Sequence, residues 1–331
     1  MLAILVLIAA VGVALTLGAW QKRSRALRVV SINLLITYGV IVLLLGGAEV
    51  YFRTAYAESD GLPTLALENW LARYWQTNSL GYRDREWTPE VYAGRRTILA
   101  VGDSFTAGWG IADPADRWTD RLAALLGEGS ALINLGDPGA ATPRALQHLQ
   151  DYPLQTPDVV IWQYYLNDID DAALSIGLDP GLNPLEGMPS WAQESYLGNF
   201  VYWRLANPQM RGTSTYIEWL FSMFDHSVVW EIHARQLNAV IDQVEAMGAD
   251  LIVVIFPDML RPADSIPYVD RVAQVFEARG YGDAVTKLFD AAEAMPLLER
   301  IVSPRDAHPS AAFSALVAQM LYEQHFAGDA A

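Results

Sequence analysis

Thr97-Ile98-Leu99-Ala100-Val101-Gly102-Asp103-Ser104-Phe105-Thr106-Ala107-Gly108 reads as a short apolar strand running into Gly-Asp-Ser, followed by a glycine-containing turn. Such a run, bounded by turn residues, is the pattern of a central strand in a parallel sheet covered on both faces. Ligands of open α/β sheets sit beyond the carboxyl ends of the strands, which is where Ser104 falls. Taken alone, the triplet reads most simply as a serine capping the next helix, and the rest of the chain decides.

Working outward, strands are expected at Thr97–Val101, Ala131–Leu135, Val159–Tyr164 and Leu251–Phe256, with a weaker one at Val285–Leu288. Helices are expected at Trp118–Leu126, Pro143–Tyr152, Val228–Met247, Tyr268–Arg279 and Ser310–His325. This alternation implies right-handed crossovers and an α/β fold with a parallel sheet between helical layers. Four polar blocks mark the ends of its elements: Gly102-Asp103-Ser104, Asn134 to Gly139, Tyr165 to Asp168, and Asp306-Ala307-His308-Pro309 in the loop before the last helix. On a doubly wound sheet these blocks emerge at one edge and can converge.

The residue types fit acyl chemistry. A serine hydroxyl needs a base to take its proton, and His308 is the natural one. The imidazole needs a partner on its other nitrogen, for which Asp306 is the nearby candidate. Charge developing on an attacked carbonyl needs preorganised donors, and the Asn167 amide and the N–H groups of Gly139 and Ser104 can supply them.

With these blocks in this order, the chain resembles the SGNH (GDSL) hydrolases over roughly Thr97 to Phe326. The resemblance implies a flavodoxin-like three-layer α/β/α domain that cleaves, or less often transfers, acyl esters without metal or organic cofactor. Carried over by position, Ser104 is the nucleophile, His308 the base, and Ser104, Gly139 and Asn167 form the oxyanion hole. The family's usual aspartate lies three residues before the histidine, where this chain has Arg305; Asp306 stands two before it. That Asp-x-His spacing resembles polysaccharide acetyltransferases of the same superfamily, and a Ser–His dyad leaning on a backbone carbonyl is the other possibility. Tyr165 replaces a customary glycine two residues before Asn167, which narrows the expected acyl site.

The chain has 331 residues, 52% of them hydrophobic, and no cysteine, so disulfides and thiolate metal sites are excluded. A net charge of −16 argues against a nucleic-acid partner. Met1–Ala19 and Val29–Ala48 are almost wholly apolar and each long enough to cross a bilayer. Between them Lys22, Arg23, Arg25 and Arg28 carry only positive charge, which places that loop in the cytoplasm and everything after Ala48 on the far side. The expected organisation is a two-pass transmembrane hairpin over residues 1–54 (helices about 1–19 and 29–48), a connector over 55–96, and the catalytic domain over 97–331 on the extracytoplasmic side of the cell membrane. The turn Asn78–Asp84, placed between a membrane helix and the Gly-Asp-Ser strand, looks like membrane-anchored bacterial members of the family.

An insertion over about 170–224 is rich in Pro, Gly and aromatics, including Trp191, Phe200, Tyr202, Trp203, Tyr216 and Trp219. Its aromatics suit sugar stacking, a membrane surface, or the packing of a small helical subdomain. Asp103 and Asp168 read as turn residues bonding nearby backbone N–H groups rather than as a paired-carboxylate site. His148, His226, His233 and His325 lack metal-ligand spacing, and Arg261 and Arg305 read as solvated surface residues in preference to holders of an anionic substrate group.

Three functions follow from this reading. The first is a membrane-anchored serine esterase that removes acyl groups, acetyl foremost, from a glycan or lipid. The second is a polysaccharide O-acetyltransferase using the same residues, which requires a multi-span membrane partner to supply the acyl donor. The third is a binding or scaffold protein that kept the fold and lost the chemistry.

Overall fold

The computed structural model describes residues 2–22, 24–205 and 210–330. Met1 of the first expected membrane helix, Arg23 of the basic loop and residues 206–209 of the insertion lie outside the described residues. The chain divides into two compact units, one of Met1–Glu58, Leu62–Ala72 and Asn183–Gln209, the other of Ser59–Gly61, Arg73–Leu182 and Met210–Ala331.

The larger unit is built on five strands: β1 (Arg96–Gly102), β2 (Ser130–Gly136), β3 (Val159–Tyr164), β4 (Asp250–Ile255) and β5 (Val285–Lys287). They pair in the order β2-β1-β3-β4-β5, all parallel. This is the flavodoxin-like order, with the switch point between β1 and β3. Alternate residues feed two cores. Leu99, Val101, Ile133, Val160, Trp162 and Val253 face one, which includes residues of helices Thr142–Gln150, Ser227–Met247 and Pro262–Ala278. Ile98, Ala100, Leu132, Ile161 and Val254 face the other, beneath Trp118–Leu126 and Ala311–His325. Burial on both faces is why the strands read as unbroken apolar runs rather than alternating ones.

Two expectations need correction. The helix expected from Tyr268 begins at Pro262, with Pro267 inside it. A proline near a helix start costs little where N–H groups are unpaired anyway, so Pro262 opens the helix instead of preceding it. The block expected as a loop around His308 is an extended strand, β7 (Asp306–Pro309), paired antiparallel with β6 (Ile301–Ser303).

The open edge of β2 is covered by the segment before β1. Asp84 Oδ2 accepts the Asn134 backbone N–H at 2.9 Å, and an Arg85 guanidinium nitrogen donates to the Leu132 carbonyl at 3.2 Å. Asn78 organises the preceding turn by accepting the Leu80 and Tyr82 N–H groups, each at 3.1 Å.

In the smaller unit, helices Leu2–Trp20 and Arg25–Thr54 pack as a hairpin, with the Tyr38 hydroxyl donating to the Ile8 carbonyl at 2.6 Å. Among the described residues, Arg25–Thr54 is the one helix long and apolar enough to cross a membrane; the apolar stretch Val6–Trp20 is shorter. Such a helix is consistent with an anchor or a signal sequence. Glu49, near its end, accepts from the Ser195 hydroxyl (2.8 Å) and the Leu197 N–H (2.9 Å), so a carboxylate sits at the start of helix Tyr196–Leu205. The aromatics of the insertion largely serve packing: Tyr202 and Trp203 are buried with Met188 and Ala192, and Phe200 lies 4.2 Å from Phe52 between ring centroids. In the larger unit Tyr216 and Trp219 stack on one another against the main core.

Candidate active site

β1 ends at Gly102, and Ser104 opens a short helix, Ser104–Ala107. Asp103 caps that helix, its Oδ1 accepting the Phe105 N–H at 2.8 Å, as the sequence suggested. Gln163 on β3 holds the same turn by accepting the Asp103 N–H (3.1 Å) and the Thr106 hydroxyl (2.8 Å). A lone amide in the apolar run Val159–Tyr164 was the sequence signal for this role. Asn134 donates to the Thr106 carbonyl at 2.7 Å, and Gly136 lets the helix sit against β2: a Cβ there would lie 2.2 Å from the Ala107 nitrogen.

His308 reaches Ser104 from the far end of the chain. Its Nε2 is 2.8 Å from Ser104 Oγ, and its Nδ1 is 2.5 Å from Asp306 Oδ1. With the Nδ1–H donating to the Asp306 carboxylate, Nε2 is free to accept the serine hydroxyl. The Asp-x-His spacing works because the two residues lie on a strand, where positions i and i+2 share a face. A loop would not have fixed that relation.

Burial pushes the Asp306 carboxyl up, but hydrogen bonds from His308 and Ser59 and the attraction of His308 outweigh it and hold the group below its ordinary value. Burial pushes Asp103 up to about 6, and burial together with the charges of Asp103 and Asp170 holds Asp168 well above the carboxylate range. Asp168 departs from its expected role: among the described residues its carboxyl accepts from the Thr142 hydroxyl at 3.3 Å and from no nearby backbone N–H.

Gly139 follows β2 with φ of +80°, and Asn167 lies in the turn Leu166–Ile169 after β3. Ser104, Gly139 and Asn167 therefore follow the carboxyl ends of three adjacent strands. Asn167 Oδ1 is buried and makes no hydrogen bond among the described residues. Tyr165 stacks on Phe105 at 4.4 Å between centroids, and Phe105 in turn meets the His308 ring edge-on at 5.3 Å. The Trp109 ring is tilted against the same imidazole at 5.9 Å between centroids.

Arg305 is not a solvated surface residue. It is bonded to Asp60, a buried residue that the sequence gave no reason to single out. Arg83 belongs to the Asn78–Asp84 turn that the sequence marks as rich in hydrogen-bonding groups: its guanidinium donates to the carbonyls of Gly108 (2.6 Å) and Ile111 (2.7 Å), fixing the loop beyond Ser104. Of the other histidines, His148 lies between Tyr82 and Asp137, His233 is fully buried against Tyr164, and His226 is exposed and caps the helix Ser227–Met247. Among the described residues no cluster of three His, Cys, Asp or Glu side chains is arranged to hold a metal.

The family model described as GDSL-like Lipase/Acylhydrolase family matches residues 100–316. The chain belongs to this family. As a GDSL-like acylhydrolase it is an ester hydrolase with the SGNH-type α/β fold. Among solved structures, this acylhydrolase is similar to TesA at 17% identity, over 69% of this chain and 97% of that one, with a TM-score of 0.42. It is similar to a carbohydrate acetylesterase family member from Sinorhizobium meliloti at 13% identity, over 69% and 96%, with a TM-score of 0.39. It is also similar to AlinE4, an SGNH-hydrolase family esterase, at 17% identity, over 70% and 95%, with a TM-score of 0.38. No curated protein matches the sequence.

Proposed function

We propose that the chain is a membrane-anchored serine ester hydrolase whose larger unit lies outside the cytoplasm and removes acyl groups, acetyl foremost, from a glycan or lipid. The observation that carries this reading is the continuous hydrogen-bond chain from Ser104 through His308 to Asp306. Ser104 Oγ attacks the ester carbonyl as its proton passes to His308 Nε2. Charge on the carbonyl oxygen is met by the N–H groups of Ser104 and Gly139 and by the Asn167 amide. The alcohol leaves with the proton from His308, giving an acyl-Ser104 intermediate. Water then attacks that ester, again losing a proton to His308, and Ser104 recovers its hydrogen as the carboxylic acid departs.

The stack of Tyr165 on Phe105, next to the nucleophile, supports a short acyl group. The apolar helix Arg25–Thr54, its packing on Leu2–Trp20 and the positive loop between them support a two-pass anchor with that loop in the cytoplasm.

The test is hydrolysis of p-nitrophenyl acetate by the full chain in detergent micelles, with Ser104→Ala and His308→Ala beside it. Activity lost in both variants is expected; a fully active Ser104→Ala would end the serine mechanism. Because the chain has no cysteine, Ser24→Cys provides a single thiol. Its labelling by an impermeant maleimide from outside the cell would reverse the topology.

A further inference from the structure

Three consecutive residues, Ser59-Asp60-Gly61, stand almost 250 positions from the catalytic histidine, yet all three are fastened to the hairpin that carries it. The Ser59 hydroxyl donates to Asp306 Oδ2. Asp60 Oδ2 accepts from Arg305 Nε and Nη2 at 2.9 and 2.7 Å, and the Gly61 N–H donates to the Arg305 carbonyl at 3.0 Å. The Asp60 carbonyl also accepts from the indole of Trp109 at 3.3 Å, and Trp109 borders the His308 ring. Ser59 and Asp60 are both buried.

Asp306 is fully buried, so each oxygen of its carboxylate needs a donor. Oδ1 is occupied by the Nδ1 and backbone N–H groups of His308. Oδ2 has Ser59. A carboxylate held through one oxygen alone can turn about its terminal torsion; a second donor on the other oxygen fixes its plane. In this chain the aspartate is two residues from the histidine instead of three, and the residue at the vacated spacing, Arg305, is itself anchored to the same short segment.

We propose that Ser59 is a positioning residue of the hydrolase, locking the Asp306 carboxylate so that Oδ1 addresses His308 Nδ1 and Nε2 stays aimed at Ser104. The proposal rests on the serine-hydrolase reading above. Ser59 acts through Asp306 and touches no reacting atom. It also disperses the carboxylate charge. Without its hydrogen bond, more of that charge is available to hold a proton on His308, and the serine loses its base at a higher pH. Among the described residues, the charged groups near His308 besides Asp306 include Asp103, in the turn after β1, which attracts it; the Arg305–Asp60 pair next to Asp306 in sequence carries charges that offset one another.

The experiment follows the second-order rate of Ser104 labelling by a fluorophosphonate against pH, using the full chain in micelles. Ser59→Ala is expected to label about tenfold more slowly near neutral pH, with the acid limb of the profile moved up by roughly half a unit or more. Ser59→Thr, which keeps the hydroxyl, restores most of the rate. Ser59→Cys, nearly isosteric with a weaker donor, falls between and serves if the alanine variant does not fold. Rates and acid limbs of Ser59→Ala or Ser59→Cys that coincide with those of the wild type would overturn the role of Ser59 while leaving the hydrolase intact. A slow Ser59→Ala with an unmoved acid limb and no rescue by threonine would reduce Ser59 to a packing group. An inert Ser104 in the folded wild-type chain would overturn the hydrolase reading itself, and this inference with it.

Discussion

Arg305 and Asp60 form an ion pair that replaces a catalytic spacing: both arginine donors lie within 3 Å of Asp60 Oδ2, with the two side chains 18% and 3% exposed. A buried pair adds little net stability over apolar residues of the same size, but breaking it from one side strands a charge. Asp60→Asn is therefore expected to lose about 2 kcal/mol in urea unfolding, and Asp60→Asn with Arg305→Gln to recover part of that. An unchanged unfolding midpoint in Asp60→Asn would show that the pair is not holding the segment down.

Asp306 is the triad acid that the proposed mechanism requires. An Asp306→Asn side chain can turn its NH2 toward Nδ1, which favours the tautomer that leaves Nε2 protonated and unable to accept from Ser104. The expected fall in kcat is about 10³- to 10⁴-fold with KM little altered. Adding Arg305→Asp, which recreates the family's usual spacing, is not expected to rescue it, because residue 305 sits in the turn before β7 rather than on the face shared by 306 and 308. Rescue by that second change, read on an aryl acetate, would argue that the strand does not set the geometry.

Much of this was legible in the sequence, and the reason is local. A strand buried on both faces must be an apolar run, and the small and polar residues that interrupt it mark its end, so the positions of Ser104, Gly139 and Asn167 after strands β1, β2 and β3 could be read from the sequence. Asp306 and His308 were legible as a pair, but not as a strand, since a four-residue edge element with a proline carries no periodicity. Ser59 and Asp60 were not legible at all. Their partners lie far away in sequence, and a polar residue in an irregular segment looks the same whether it is solvated or buried on a distant carbonyl. The insertion was legible as aromatic, but only its neighbours decide that Tyr202 and Trp203 face a core instead of a ligand.

Gly110 is held at φ of +81°, and a Cβ on it would lie 2.5 Å from a Val302 methyl and 2.9 Å from Asp306 Oδ2. Both the backbone conformation and the space are closed to a side chain. Gly110→Ala is expected to cost about 2 kcal/mol. It should also depress kcat, because the new methyl presses on the carboxylate that orients His308. A calorimetric scan beside a kinetic assay separates the two effects. A stable variant with wild-type turnover would mean that the loop shifts freely away from β6 and β7.

His233, buried on helix Ser227–Met247, provides a pH-dependent contribution to stability. It is fully buried, its Nε2 lies 2.8 Å from the Tyr164 hydroxyl, and burial pushes it down to about 4. An unfolded chain titrates its histidine near 6.5. Between about pH 6.5 and 4 the unfolded state therefore takes up a proton that the folded state refuses, so stability is full above this window and falls as pH drops through it, by about 3 kcal/mol. Asp103, pushed up to about 6, acts in the opposite sense: the folded state binds its proton first, and stability rises as pH falls from there toward 4. The histidine is isolated by comparing wild type with His233→Gln in urea unfolding near pH 7 and near pH 4.5. The stability gap between the two proteins is expected to shift by about 2 kcal/mol in favour of the variant at the lower pH. A gap that stays constant would mean that His233 is protonated in the folded protein as readily as in the unfolded one.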